Sequence, residues 1–259
     1  MNSLYFGKDK IMAEQLYTIP VNDAFDADCE CPLCLMSRDL EKAAIEFTMG
    51  PSYMEDDNRE ETDKLGFCPK HIRMMYEDKN KLGVALMLNT HMNKTIREMK
   101  ALAEKDSPQA AGVLTRKSGG LFSKGTDKSP VVKYIEDLES TCFVCQRIDP
   151  VFDRYIHTIF HMWKKDPDFK KKIESSKGFC TYHYGMLYEK GTEHLNQTQY
   201  EEFLKVLNKV YFDNMERVNA DVSWFIDKHD YRNKEADWKT SKDSLPRAII
   251  KTEHTIIEE

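Results

Sequence analysis

Two short motifs rich in metal-binding side chains each occur twice in the sequence. GFCPKHIRMMYE begins at residue 66, and a close copy, GFCTYHYGMLYE, begins at residue 178. A CxxC motif precedes each copy, CPLC at residues 31–34 and CFVC at residues 142–145. Thiolates and imidazoles at such short spacings are the ligands that zinc takes in structural sites, so the chemistry they predict is metal binding. The candidate ligands are Cys31, Cys34, Cys68, His71, Cys142, Cys145, Cys180 and His183.

Within each half of the chain, the motifs supply three thiolates and one imidazole. The CxxC turn directs two sulfurs towards one ion, and the cysteine and histidine of CxxH share one helix face because they are three residues apart. The open N-terminal end of that helix also favours the negative charge of thiolates. The spacing therefore predicts two tetrahedral Cys3His zinc sites per chain. The first would use Cys31, Cys34, Cys68 and His71, and the second Cys142, Cys145, Cys180 and His183.

Two other uses of these cysteines remain open. A set of three cysteines and one histidine can also hold an iron–sulfur cluster in which histidine replaces a thiolate. The CPLC turn is typical of a dithiol redox pair, although no βαβ pattern surrounds it. Cys29 has no counterpart in the second half, where Ser140 occupies the matching position. We interpret Cys29 as a bystander near the site or as a thiol that exchanges with a ligand.

A further pair of histidines offers a catalytic alternative. His157 and His161 lie four positions apart on a predicted helix, with Asp153 one turn earlier, which is the start of a catalytic metal site. A solvated polar stripe is the simpler interpretation of the same residues. Four residues that recur beside the CxxH histidine are candidates for orienting it, or for helix packing and solvent contact: Tyr76, Glu77, Tyr188 and Glu189.

The elements that must position these motifs are helices. Apolar residues recur at helical spacing in 80–104 and 197–229, and no segment shows the alternation of a strand. In 150–163 they fall on one face, with Asp149 as the expected N-cap and Pro150 at the first helical position. Each half should contain a helix after CxxC, a short polar helix, a helix that starts at CxxH and a long closing helix. The fold class is mostly α, with two similar helical modules from internal duplication.

The segments between the motifs indicate the domain boundaries. Residues 1–104 are predicted to form the first helical metal-binding repeat and residues 131–230 the second. Residues 105–130 contain Pro, Gly and Ser without apolar periodicity, which predicts a flexible linker. Residues 231–259 are expected to form a C-terminal tail or a short helix.

Composition and charge argue against several classes of protein. Of the 259 residues, 41% are hydrophobic and 32% are charged, which is typical of a soluble globular chain rather than a disordered or membrane-bound one. No apolar run approaches the roughly 20 residues that span a bilayer. The N-terminus lacks the apolar stretch of an export signal, so we expect a cytoplasmic protein with no membrane association. The net charge of −6 makes nucleic acid an unfavourable partner.

The duplicated CxxC and GFCxxH motifs resemble those of a family of uncharacterised bacterial proteins, defined as a domain of unknown function. The resemblance extends from Cys31 to about His194 and leaves out the terminal tail. The resemblance implies a bacterial, cytoplasmic protein, and it carries over no activity and no catalytic residues. The function therefore has to be inferred from the residues themselves.

Closed four-ligand sites leave no open position for a substrate, so the sequence favours a non-catalytic zinc protein with two structural sites. We expect it to present its helical modules to a protein partner, in an interaction or scaffolding role, and a homodimer is a further interpretation. One alternative is a redox-active or metal-responsive protein that carries iron–sulfur clusters or reactive thiolates. The other is a metal-dependent enzyme that uses the helix face of His157 and His161.

Overall fold

The computed structural model describes residues 16–105 and 128–257, and this part of the chain is helical without strands. The mostly α fold class is thereby confirmed. The helices before residue 106 are α1 (16–26), α2 (Pro32–Met49), α3 (Asp56–Leu65), α4 (Pro69–Glu77) and α5 (Lys81–Lys105), with a 3-10 turn at Pro51–Met54. Those after residue 127 are α6 (Pro130–Glu139), α7 (Phe143–Lys165), α8 (Pro167–Ser175), α9 (Thr181–His194), α10 (Gln197–Lys228) and α11 (Ser244–Glu253), with a 3-10 turn at Tyr231–Asn233.

The order of helices is the one that the motifs predict. In both halves a helix starts at CxxC, a short helix follows, another starts at CxxH and a long helix closes the series, as α2 to α5 and α7 to α10 show. The long helices α5 and α10 agree closely with the predicted segments 80–104 and 197–229. This shared order is compatible with internal duplication, which itself stays a prediction.

One predicted helix boundary is wrong. The sequence suggests a helix that begins at Pro150 with Asp149 as its N-cap, whereas α7 begins at Phe143 and contains Pro150 in its interior. Proline lacks the N–H that would bond to the carbonyl four residues earlier, and for that reason it usually ends or bends a helix. Here the helix continues because the apolar residues on both sides of Pro150, Ile148 and Ile156 among them, are buried.

The chain divides into two compact units. Unit 1 contains the described residues up to Leu40 and those from Pro150 onward, and unit 2 contains those from Glu41 to Asp149. In unit 1 the core includes large buried side chains from four helices, namely Trp163, Phe169, Leu187, Phe203 and Leu207. In unit 2 the buried apolar side chains include Ala44, Ile45, Met49, Met75, Val84, Met87, Phe143 and Val144.

These units combine parts of both predicted repeats. Unit 1 takes its N-terminal segment from repeat 1–104 and most of its remainder from repeat 131–230, so the boundaries of the repeats as sequence duplicates stay a prediction. Of the predicted linker 105–130, residues 106–127 lie outside the described residues. Within 231–259 the chain forms the short helix α11. Across 16–105 and 128–257, the helices are all too short or too polar for a bilayer span.

Candidate metal centres

Site 1, formed by Cys31, Cys34, Cys180 and His183, lies in unit 1. The thiols come from the start of α2 and from the residue before α9, and the imidazole comes from the first turn of α9. The Nδ1 atom of His183 lies 3.5 Å from the sulfur of Cys31, 3.4 Å from that of Cys34 and 3.2 Å from that of Cys180. The sulfurs of Cys34 and Cys180 are 3.6 Å apart.

Site 2, formed by Cys68, His71, Cys142 and Cys145, lies in unit 2. The Nδ1 atom of His71 is again the point on which the sulfurs converge. It lies 3.3 Å from the sulfur of Cys68, 3.3 Å from that of Cys142 and 3.4 Å from that of Cys145. Both sites therefore present three sulfurs and one Nδ1 atom to a common centre.

The eight predicted ligands come together in two groups, but the predicted pairing is wrong. Each site takes its CxxC from one half of the sequence and its CxxH from the other. The two halves carry chemically identical motifs, so spacing alone cannot distinguish the two pairings. In unit 2, hydrogen bonds next to the motifs distinguish the two pairings. The amide of Phe143 donates to the carbonyl of Gly66 at 3.0 Å, and the hydroxyl of Thr141 donates to the carbonyl of Leu65 at 2.8 Å.

Both copies of the GFCxxH motif begin with a glycine that the backbone conformation requires. Gly66 has φ of 59° and Gly178 has φ of 81°, a region of backbone conformation that only glycine enters at low cost. A Cβ atom at Gly178 would also lie 2.9 Å from the carbonyl oxygen of Val210. The glycine therefore permits the turn that brings the following cysteine to the N-terminus of the CxxH helix, with Cys68 and Cys180 as N-caps.

The ligand geometry matches a single tetrahedral ion. With metal–sulfur distances of about 2.3 Å and metal–nitrogen distances of about 2.0 Å, the edges of the tetrahedron are about 3.5–3.8 Å. The recorded distances between ligand atoms are 3.2–3.6 Å, and all atoms of each group lie within 4.8 Å of one another. Zinc and other soft divalent ions fit such a set of donors. Each site has all four positions filled by protein atoms, which is the arrangement of structural zinc sites.

A comparison with protein families matches residues 12–259 to DUF6062, a family of unknown function. The chain belongs to this family. The match covers almost the whole sequence and confirms the resemblance to a domain of unknown function that the motifs indicate. Searches among curated proteins and among solved structures gave no match. The family carries no assigned activity, so the chemistry of the two sites is the guide to function.

The two sites differ in burial. All four ligands of site 1 are buried, and Cys180 is fully inaccessible to solvent. In site 2, His71 and Cys142 are buried, whereas Cys68 and Cys145 are half-buried. Two cysteines of site 2 are therefore more exposed to solvent and small reagents than any ligand of site 1.

Contacts among the ligands lower the pKa values of some ligands and raise those of others. Hydrogen bonds from Cys31 and Cys34 lower the pKa of Cys180 to about 3. Burial raises the pKa of Cys142, but the hydrogen bond with His71, the backbone hydrogen bonds of Cys145 and Cys68 and the charge of His71 together outweigh burial and lower that pKa to about 6. Burial in turn opposes the charging of His71, yet its hydrogen bonds to Cys142 and Glu41 raise its pKa to about 10. Each site thus contains one thiol that ionises readily, as a metal ligand requires.

A carboxylate orients the histidine of site 2, and sequence reasoning missed it. The Nε2 atom of His71 lies 2.9 Å from Oε1 of Glu41, and the ammonium of Lys70 lies 2.6 Å from the same oxygen. A carboxylate on the second ring nitrogen fixes the tautomer that leaves Nδ1 free for a metal. The aligned position in the second half is Phe152, whose ring lies 5.6 Å from that of His183. The repeat alignment conceals Glu41 because the two halves differ there.

The residues proposed from sequence to orient the histidines lie elsewhere. Tyr76 and Tyr188 are exposed, the first under the ammonium of Lys81 and the second beside the ring of Tyr200. Glu77 and Glu189 are also exposed. Within residues 16–105 and 128–257, the hydrogen bonds of the His71 and His183 rings go to cysteines and to Glu41, and not to these four side chains. Packing and solvent contact, the alternative interpretation, describe them better.

Within 16–105 and 128–257, the structure does not bring a third metal ligand to His157 and His161. Over the described residues, the groups of three or more metal ligands are sites 1 and 2, and His157, His161 and Asp153 form no such group. The ring of His157 instead lies 5.3 Å from that of His194. Cys29 also lies outside both ligand sets and is half-buried, with its sulfur 3.7 Å from the carbonyl oxygen of Ala24. Burial raises the pKa of Cys29 to about 11, which keeps this thiol protonated at neutral pH.

Proposed function

We propose that this protein binds one zinc ion in each of sites 1 and 2, that both ions are structural, and that the helical surface acts on a protein partner. The observation that carries the metal assignment is the convergence of three sulfurs on one Nδ1 atom in both sites, at distances of 3.2–3.5 Å. Two separate groups with the same donors and the same ligating nitrogen are unlike a chance cluster of thiols.

The spacing of the ligands supports a single ion over an iron–sulfur cluster. A cluster places two or four iron atoms between its ligands, which separates the ligand atoms beyond the edges of a single-ion tetrahedron. Here all ligand atoms of a site lie within 4.8 Å of one another. A single iron ion on the same ligands is the closest competitor. Zinc is favoured because three thiolates and one imidazole form a common closed zinc site.

The four-protein-ligand set also supports a role without catalysis. Catalytic zinc keeps one position for water or substrate, whereas here protein atoms occupy all four. Site 1 joins residues near positions 31 and 180, and site 2 joins residues near positions 68 and 142, so each ion closes a long stretch of chain. Because the unfolded chain has no assembled site, the free energy of metal binding adds to the free energy of folding.

Metal analysis of paired cysteine variants tests the proposal. The wild type should contain about two zinc ions per chain, and Cys31→Ser/Cys180→Ser, which damages site 1 alone, should contain about one. Cys31→Ser/Cys68→Ser damages both sites and should contain close to none. A pairing within each half of the sequence would give the opposite result for these two double variants. Cys29→Ser is the matched control and should keep both ions.

The outcome for the wild type decides the metal itself. Zinc close to zero in protein purified without chelators would refute the proposal. Iron in place of zinc, with the visible absorbance of iron–thiolate bonds, would support the redox alternative instead. Preparation under anaerobic conditions keeps both outcomes open, because thiolate ligands and iron centres are both lost to oxidation.

The interaction part of the proposal depends on apolar side chains that α5 and α6 leave exposed in unit 2. They are Leu82, Met92, Ile96, Val132 and Ile135. Exposed apolar side chains on neighbouring helices are typical of contact surfaces. We take a second copy of this chain as the first partner to test. Met92→Lys/Ile96→Lys should abolish concentration-dependent dimers in sedimentation and keep the metal content, and Ile226→Lys in unit 1 serves as a control.

Site 2 also supports a metal-responsive role as the second candidate. Its two half-buried cysteines, Cys68 and Cys145, are more exposed to oxidants and competing ligands than the buried ligands of site 1. Peroxide treatment that releases one zinc ion per chain, and that a reductant with added zinc reverses, would favour this role. Release of both ions together with unfolding would indicate damage instead.

A further inference from the structure

In each site, the segment that carries the CxxC motif has to be held beside the segment that carries the CxxH motif. We call the hydrogen bonds that connect these two segments the joint of the site. In site 2 this joint is direct, since the hydroxyl of Thr141 donates to the carbonyl of Leu65 at 2.8 Å and the amide of Phe143 donates to the carbonyl of Gly66 at 3.0 Å. Thr141 immediately precedes the CxxC motif, and Gly66 lies two residues before Cys68. These two bonds fix the CxxC turn beside the CxxH turn.

The same joint cannot form in site 1. The sequence aligned with Phe143 is Pro32, which has no amide hydrogen to donate. The residue aligned with Thr141 is Glu30, and the residue aligned with Leu65 is Lys177. The carboxylate of Glu30 instead accepts a hydrogen bond from Arg217 at 2.6 Å and does not replace the hydroxyl donor of Thr141. Site 1 therefore needs a donor from another part of the chain.

Lys251 of the C-terminal helix α11 supplies that donor. Its ammonium donates to the carbonyl oxygen of Glu30 at 2.8 Å and also to the carbonyl oxygen of Lys177. These are the carbonyls of the segments that carry Cys31 and Cys180. The side chain is 1% exposed, and its charge lies 3.3 Å from the Glu30 carboxylate, which also receives a bond from Arg217 at 2.6 Å. A buried ammonium with several donors can link two carbonyls that cannot bond to each other.

Other contacts hold α11 next to site 1. The hydroxyl of Thr181, the residue after Cys180, donates to the carbonyl of Lys251 at 3.0 Å. The sulfur of Cys34 lies 3.8 Å from the carbonyl oxygen of His254. Away from the ligands, the guanidinium of Arg247 pairs with the carboxylate of Asp221 at 2.8 Å. The helix thus contacts residues on both ligand-bearing segments of site 1.

We propose that Lys251 is the positioning residue that joins the two halves of site 1, so that docking of α11 and metal retention at site 1 stabilise each other while site 2 is independent of both. This inference rests on the proposed metal binding. It follows from linkage, because a contact present only in the metal-competent arrangement raises metal affinity, and the metal in turn favours that contact. Thr141 fulfils the corresponding role in site 2.

The test follows each cysteine separately in the full chain. Zinc-loaded protein is challenged with a chelator and an alkylating reagent, and peptide mass spectrometry records the labelling rate of every cysteine. Lys251→Met, which keeps most of the stem and removes the donors, should accelerate labelling of Cys31, Cys34 and Cys180 by about tenfold or more. The cysteines of site 2 should keep their wild-type rates. Thr141→Val should reverse this pattern, and Lys242→Met, an exposed lysine before α11, is the charge control.

A second measurement on the unmodified protein keeps the inference testable if Lys251→Met folds poorly. Removal of zinc from the wild type should reduce amide hydrogen-exchange protection in α11, and readdition should restore it. Equal acceleration at both sites in Lys251→Met, or unchanged α11 protection after zinc removal, would overturn the role of Lys251. If the chelator leaves the labelling of all six ligand cysteines unchanged in the wild type, the metal proposal fails instead.

Discussion

The Nε2 atom of His71 lies 2.9 Å from Oε1 of Glu41, on the side of the ring opposite the three sulfurs of site 2. This carboxylate holds the ring in the tautomer that directs the lone pair of Nδ1 towards the metal position. Site 1 has the ring of Phe152 near its histidine in the aligned position. The two sites therefore have the same types of ligand but differ in the groups that contact the ligating histidine.

The first prediction concerns Glu41. Glu41→Gln keeps the size of the side chain and removes its charge, so zinc affinity at site 2 should fall by roughly tenfold to a hundredfold. Site 1 should be unaffected. Competition with a chromogenic chelator, read as two separate binding steps, measures both affinities. Glu46→Gln, an exposed position on the same helix, is the matched control. Equal weakening of both sites would show that Glu41 acts on global stability and not on His71.

The ligand types and the helical fold could be predicted from the sequence, because CxxC and CxxH place donors within one or two helical turns of each other. The pairing could not, because both halves offer identical donors and only contacts such as Phe143 with Gly66 distinguish the two arrangements. Glu41 and Lys251 were missed for a related reason. Glu41 aligns with Phe152 in the other half, and Lys251 lies in segment 231–259, outside both predicted repeats, so the repeat pattern indicates neither.

The second prediction is an order of metal loss. Cys68 and Cys145 are half-buried, whereas every ligand of site 1 is buried, so a chelator should remove zinc from site 2 first. Release should follow two kinetic phases of equal amplitude. Alkylation during the fast phase should label Cys68, Cys142 and Cys145. If the fast phase labels Cys31 or Cys180 instead, solvent exposure of the ligands does not determine the order of zinc release.

The third prediction concerns pH. Hydrogen bonds to Cys180 and Cys31 raise the pKa of Cys34, and burial is the main cause that raises the pKa of Cys145. Both thiols therefore keep their protons at neutral pH in the metal-free protein, and a metal that binds them must displace those protons. Zinc affinity should rise as pH increases and fall as pH decreases. Zinc titration in a weak buffer with a pH indicator should release at least one proton per site, and uptake without acidification would contradict this.

The last prediction asks which part of the chain each metal stabilises. Cys68→Ser removes a ligand from site 2, so unit 2, from Glu41 to Asp149, should lose protection first. Cys180→Ser should act on unit 1, including the N-terminal segment that ends at Leu40. In each case the metal's contribution to the free energy of unfolding is lost, on the order of several kcal/mol, because the unfolded chain has no assembled site.

Hydrogen exchange resolved by peptide distinguishes the two variants, and Cys29→Ser provides the control for loss of a thiol outside both sites. The deciding peptides are those of α1, 16–26, and α6, Pro130–Glu139, because each precedes a CxxC motif. In Cys180→Ser, α1 should exchange faster and α6 should not, since α1 belongs to unit 1 with site 1. The opposite response would mean that each metal stabilises its own half of the sequence. Helix α1 would then depend on Cys68, the ligand nearer to it along the chain, and the crossed assembly of the two sites would have no energetic consequence.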